Sequence, residues 1–301
     1  MIQFFDSSQS MFLNGMERIQ AREQEAQTQL TTGLKINSIS DDPSRLPVLM
    51  EVRSSIARNQ QIASNLSRVK AESDSGESAL SSAVSLMDNI TSLASEGQPS
   101  TTSAATRIQL AQQVSDDLHQ MVTIANTQVE GRYVFSGDDD QTQPYSIDLT
   151  QTNPVSAYLG SASTRTVQLP DGSLLPVSET AQQIFDSADP ATNVFSAISN
   201  LRTALLNNDQ SGIESSISAL NNSSTYLNTQ LAFYGNVQSR VNGAIDFGAT
   251  LETQLETQQS QIQDADLTQS ITELSQAAIQ QQAALSAEKE IPRTSLFDYL
   301  G

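Results

Sequence analysis

Residues 31–45 read TTGLKINSISDDPSR, a short, polar, aperiodic stretch between two long segments with helical apolar spacing. Its first part ends a helix and its last part begins another. Gly33 suits the left-handed backbone that closes a helix C-terminus, and Asp42 followed by Pro43 suits an N-cap with proline at the first helical position. Between these signals Leu34, Ile36 and Ile39 alternate with Lys35, Asn37 and Ser40, as in an extended piece with apolar side chains to bury. A free linker needs no such residues. The stretch is therefore a fixed corner between helical layers, not an active-site loop.

On the N-terminal side, Phe12, Met16, Ile19, Ala26 and Leu30 follow heptad spacing with Glu23 at the missing position, so residues ~7 to 32 read as an amphipathic helix. On the other side Leu49, Val52, Ile56, Ala63, Leu66, Leu80, Val84 and Met87 mark a second helix over roughly 44–95, with Asn59, Lys70 and Ser73 as polar positions in its seam. Residues 96–104, EGQPSTTSA, form a turn. A third helix passes through Ile108, Ala111, Leu118, Val122, Ala125 and Val129. Near the C-terminus a long heptad seam runs from Ile213 to Ile262, is interrupted by QDADL at 263–267, and resumes through Leu267, Ile271, Leu274, Ala278 and Leu285. Such seams cannot be buried alone, so the N- and C-terminal helices are expected to pack on each other as a hairpin-like rod.

The middle of the chain changes period. Tyr133, Val134 and Phe135 are β formers, and residues 164–178 carry two short runs around Pro170-Asp171-Gly172-Ser173, a hairpin signal. A short helix then follows from an Asp189-Pro190 start through Val194, Ile198, Leu201 and Leu205. The fold class expected is mainly α: a long helical bundle or coiled coil formed by paired N- and C-terminal segments, with a small inserted β domain. Its parts are a terminal coiled coil at 1–40 and 265–301, a rod-like helical bundle at 41–135 and 191–264, and the β insertion at 136–190. Narrow, polar-interrupted seams leave the terminal arms disordered in a free monomer, since ordering costs ~1–2 kcal/mol per residue. The insertion lies farthest from both terminal seams and is expected to fold apart from the rod as an outward decoration.

Composition excludes several function classes. The net charge is -19, with three lysines (Lys35, Lys70, Lys289), so a nucleic-acid backbone would be repelled. Cysteine is absent, which removes disulfides, thiolate metal sites and cysteine nucleophiles together. The start, MIQFFDSSQSMFLNG, lacks a basic region and a long apolar run, so export without a cleaved signal peptide is expected, and nothing downstream approaches a membrane span. His119 is the single histidine and has no cysteine to pair with, so a surface place on the third helix fits it better than catalysis. Asp138, Asp139 and Asp140 lack the order of an EF-hand loop and read as a solvated turn. Asp41 with Asp42, and Asp264 with Asp266, could be paired carboxylates, but capping of the helices that follow accounts for them more simply. No cofactor, metal or catalytic site is expected.

The residues quoted above also carry a resemblance. LTTGLKINSISDDPSR (30–45) resembles the N-terminal signature of the flagellin superfamily, and IQDADLTQSITELSQAAIQQQAALS (262–286) resembles its C-terminal counterpart. IANTQVEGRYVFSGDDDQTQPY (124–145), VQLPDGSLLPVSETAQQIF (167–185) and the ending SLFDYLG (295–301) look like the members that join the flagellar hook to the filament, more than like a short flagellin forming the filament itself. The resemblance implies a noncatalytic structural protein of the bacterial flagellum, extracellular once exported. Its implied partners are the first hook-associated protein, flagellin, further copies of itself in a ring, the flagellar export apparatus and an export chaperone. The implied assembly interface comprises Leu34, Ile36, Asn37, Asp41, Asp42 and Pro43 in the corner, answered by Asp264, Asp266, Leu267 and Leu274, with Leu30 and Leu285 in the seams. Pro292 departs from the pattern and is expected to end or kink the last helix.

Overall fold

The computed structural model describes residues 2–151 and 153–290; Pro292 and the ending SLFDYLG lie outside the described residues. Among the described residues seven helices and two small antiparallel hairpins follow in the order α1 (Ile2–Thr32), α2 (Leu46–Gly97), α3 (Ala104–Ala125), β1 (Gln128–Val129), β2 (Arg132–Tyr133), β3 (Thr166–Gln168), β4 (Leu174–Pro176), α4 (Ala181–Phe185), α5 (Val194–Leu206), α6 (Gln210–Gln263) and α7 (Leu267–Glu290). This is the mainly α architecture expected. The chain forms two compact units, Met1–Arg58 with Leu251–Gly301, and Asn59–Thr250. No helix among the described residues is long and apolar enough to cross a membrane.

Local chemistry sets the element ends in the second unit. Ser103 caps α3 by accepting the Thr106 N–H, Thr180 and Gln183 form a capping box on α4, and Asn193 caps α5 through the Ser196 N–H. Helix α5 thus starts at Asn193, after the Asp189-Pro190 turn; the Thr192 N–H closes that turn on the Asp189 carbonyl. Between α2 and α3 the buried Arg107 guanidinium donates to the carbonyls of Gly97 (2.9 Å) and Pro99 (3.0 Å) and to Asn208 Oδ1 (2.6 Å). The turn's carbonyls are satisfied by a side chain that the sequence did not single out.

The main core gathers Leu80, Met87 and Ile90 of α2, Leu110, Val114, Leu118 and Met121 of α3, the inner face of α5, and Ile213, Leu220, Leu227 and Tyr234 of α6. Of the polar positions expected in the α2 seam, Asn59 and Ser73 are buried, and Asn59 Nδ2 donates to the Gly248 carbonyl at 2.9 Å. Gly76 faces the ring of Tyr234, where an added Cβ would sit 2.7 Å from a ring carbon. Helix α2 keeps a glycine in its interior because the tyrosine occupies the space.

The insertion does not fold apart from the helices, contrary to the sequence expectation. Tyr145, Ile184 and Phe185 of the insertion belong to the main core, and a second cluster packs Val167, Leu169, Leu175 and Val177 of the insertion on Ile62 and Leu66 of α2 and Val237 and Val241 of α6. Phe185 stacks on Phe195 at 5.8 Å and meets Phe135 edge-on at 5.9 Å. Arg165 reinforces the attachment with an ion pair to Glu72 at 3.0 Å. The reason is arithmetic of surface: two-stranded hairpins are at best marginally stable alone, and these bury their apolar face only against helices.

Two outcomes follow. Phe185→Ala is expected to cost about 3–5 kcal/mol, seen as a lower thermal midpoint by circular dichroism. Replacing residues 140–188 with a short Gly/Ser linker is expected to uncover both clusters, with loss of helix and solubility; a soluble, fully helical product would contradict the shared core.

Candidate assembly interface

The first unit is built around two corners that pair with each other. Gly33 has φ +72 and its N–H donates to the Gln29 carbonyl at 2.8 Å, ending α1 in the left-handed conformation expected. The chain then runs extended beside residues 263–265. Lys35 N–H donates to the Gln263 carbonyl at 2.6 Å, Ala265 N–H donates to the Gly33 carbonyl at 2.9 Å, and Leu34 and Asp264 form an antiparallel bridge. The buried Gln263 also donates its Nε2 to the Ile36 carbonyl at 3.5 Å. Corners more than two hundred residues apart in sequence are thus one short two-stranded ladder.

Side chains hold each corner in shape. Asp41 accepts the N–H groups of Asn37 (2.8 Å) and Ser38 (2.6 Å) and the Ser38 hydroxyl (2.7 Å), and the Asn37 amide donates to the Leu34 carbonyl at 2.8 Å. Asp42 accepts the Ser44 hydroxyl and the N–H groups of Ser44 and Arg45, so the turn through Pro43 leads directly into α2. The Ser38 hydroxyl, then its N–H and that of Asn37, hold the Asp41 carboxyl below its ordinary value; the Ser44 hydroxyl does the same for Asp42. On the other strand Asp266 caps α7 by accepting the N–H groups of Thr268 (2.9 Å) and Gln269 (3.1 Å), while Asp264 accepts the Ser260 hydroxyl. All four carboxylates are engaged as acceptors for hydroxyls or backbone amides. His119 is exposed on α3, in the other unit.

Burial divides the expected interface residues. Ile36 is buried and Leu34 half-buried, whereas Ile39 is 73% exposed, because the Ser38–Asp41 turn breaks the alternation before it. Asn37, Asp41, Pro43, Asp264 and Asp266 are exposed, and Asp42 is half-buried.

Helices α1 and α7 pack antiparallel, tied by Ser270 Oγ to Gln29 Oε1 (2.9 Å) and Arg22 Nη2 to Gln280 Oε1 (3.2 Å). The α1 seam is the expected one: Phe12, Met16, Ile19, Glu23 and Leu30 are half-buried and Ala26 is buried. The α7 seam is rotated from the expected one. It consists of Ser270, Leu274, Ala277 and Ala284, while Leu267, Ile271 and Leu285 stand 49%, 56% and 44% exposed. Close approach of two helices selects small side chains, and α7 has more apolar positions than one partner helix covers. Sequence reading missed Gln263, Ser270 and Ala277; the small residues Ala26, Ser270 and Ala277 were the available signal.

Asp41→Ala is expected to remove hydrogen-exchange protection at the Asn37 and Ser38 amides while leaving α3 unaffected. The folded Asp41 carboxyl lies below its ordinary value of 3.8, so its stabilisation is complete above that pH and is lost as pH falls through the folded value. Protection at those two amides, corrected for intrinsic exchange, should therefore be flat from neutral pH down to about pH 5.

Comparison with known proteins accounts for this layout. The family model for the bacterial flagellin N-terminal helical region matches residues 6–140, and that for the C-terminal helical region matches residues 217–300. The chain is 24% identical over 306 aligned positions to flagellar hook-associated protein 3 of Escherichia coli (strain K12), covering 93% of each, and equally to the protein of that name from Salmonella typhimurium. Among solved structures, FlgL of Xanthomonas campestris superposes with a TM-score of 0.59 at 17% identity, covering 70% of this chain and 99% of that one. With its N- and C-terminal regions both matched, this chain belongs to the bacterial flagellin family.

Proposed function

We propose that the chain is a structural component of the bacterial flagellum that forms the junction layer between the hook, with its first hook-associated protein, and the flagellin filament. The observation that carries this reading is the match over 93% of both chains to two proteins named flagellar hook-associated protein 3. The geometry is of the right kind. The paired corners hold α1 against α7, yet Leu267, Ile271, Ile279 and Leu285 of α7 and Met11 and Leu13 of α1 remain exposed. Contact with neighbouring copies in a ring would bury these side chains.

In this reading Leu30, Leu34, Ile36, Asn37, Asp41, Asp42, Pro43, Asp264, Asp266, Leu267, Leu274 and Leu285 make up the assembly interface. The terminal arms, through α1 and α7, form a coiled coil completed on assembly, and the protein passes the export apparatus with a chaperone before reaching the cell exterior. An aspartate introduced at an apolar seam position such as Leu30 or Leu274 would be left as an unpaired charge out of water, a penalty of several kcal/mol repeated at every subunit.

A strain lacking the gene is expected to build hooks without filaments and to shed flagellin into the medium, as seen by electron microscopy and immunoblotting. Complementation separates assembly from folding. Ile271→Asp changes a side chain exposed in the single chain, so expression, helicity and export should stay near wild type while filaments fail to form. Normal filaments on the deletion strain would overturn the junction role. Full motility with Ile271→Asp and Leu274→Asp together would overturn the assignment of α7 to the interface.

A further inference from the structure

The segment 153–157 is paired along one side only. Asp148 N–H donates to the Pro154 carbonyl at 2.7 Å and Ser156 N–H to the Ser146 carbonyl at 2.9 Å, which makes Ile147 and Val155 an antiparallel bridge. In this type of pair the N–H and carbonyl of Val155 point away from Ile147, and neither has a hydrogen-bond partner among the described residues. A groove of about 510 Å³ runs beside the segment and is lined also by Ser196, Ser199, Asn200 and Thr203 of α5, by Phe195 and by Asp186. All five residues from Asn153 to Ala157 line the groove. It therefore follows the edge of the segment, because a groove across a strand face meets alternate residues only.

We propose that this groove binds an extended, cationic peptide segment, which adds to the free edge of Val155 as a further strand. Main-chain bonds to Val155 give the attachment its geometry, and the hydroxyl and amide groups of α5 serve the peptide's opposite edge. The sign of the charge comes from Asp186 and its surroundings. Asp186 makes no ion pair among the described residues and gives one oxygen to the Asn193 amide at 2.9 Å, which leaves acceptor capacity for a guanidinium or ammonium group. Arg202, on the same helix, is directed to Ser115 and to the Leu149 carbonyl. Between residues 59 and 250 nineteen Asp and Glu face seven Lys and Arg, so this unit attracts cationic chains and repels acidic ones. The inference is independent of the junction reading, because it concerns a groove wholly within the second unit.

The test uses the full chain and a fluorescently labelled pentapeptide, acetyl-Thr-Arg-Val-Arg-Thr-amide, followed by anisotropy. Saturable binding with a Kd below about 1 mM is expected. Full N-methylation of the peptide, which removes its strand-forming N–H groups, should weaken binding at least tenfold, and exchange of both arginines for glutamate should do the same. Val155→Pro removes the donor on the protein side and should give a similar loss. Ser199→Arg, on α5, fills the groove without touching the strand and decides the matter if the proline variant fails to fold by circular dichroism. Absence of saturable binding would overturn the proposal, as would equal binding of the methylated peptide or wild-type affinity in folded Ser199→Arg.

Discussion

The backbone ladder between residues 33–36 and 263–265 is the constraint on which the first unit depends. Helices α1 and α7 each present a narrow seam with polar breaks, too little apolar area to define one register of pairing without help. The ladder supplies that register. Once Leu34 is opposite Asp264, antiparallel packing places Ser270 at Gln29 and Gln280 at Arg22. Gly33 makes the approach possible, since its positive φ turns the chain out of α1 and presents its carbonyl to the Ala265 N–H. Asp41, Asp42 and Asp266 then act locally: each fixes the few amides that the corner geometry leaves without helical partners.

The second unit is stabilised in a different way. Its core is one aliphatic and aromatic cluster into which the insertion sends Tyr145, Ile184 and Phe185, with a smaller cluster under the β3–β4 hairpin. Phe135, just before the insertion, meets both Phe185 of the insertion and Tyr234 of α6 edge-on and so links the two. Long helices with few aromatics gain much of their thickness from these rings. The same unit holds buried polar atoms along its helices, including Ser73 Oγ, Ser223 Oγ and Gln230 Oε1, without a hydrogen-bond partner among the described residues.

In the junction reading proposed above, function is distributed over surfaces. What matters is which apolar side chains the single chain leaves uncovered, and the rotated seam of α7 decides that. Had Leu267, Ile271 and Leu285 been turned toward α1, little of the arm would remain to engage another molecule.

Much of this was legible in the sequence. Heptad spacing located the long helices and the α1 seam, because a helix's period is a local property of the chain. Gly33, Asp42-Pro43 and Pro170-Asp171-Gly172 marked turns through backbone preferences that need no tertiary context. Three things required the folded structure. The choice of Ser270 and Ala277 over Leu267 and Ile271 for the α7 seam depends on how closely α1 approaches. Exposure of Ile39 depends on a turn closed by Asp41. The burial of Val177 against helices far away in sequence depends on the insertion having no core of its own, and periodicity within a segment carries no information about which distant surface will cover it.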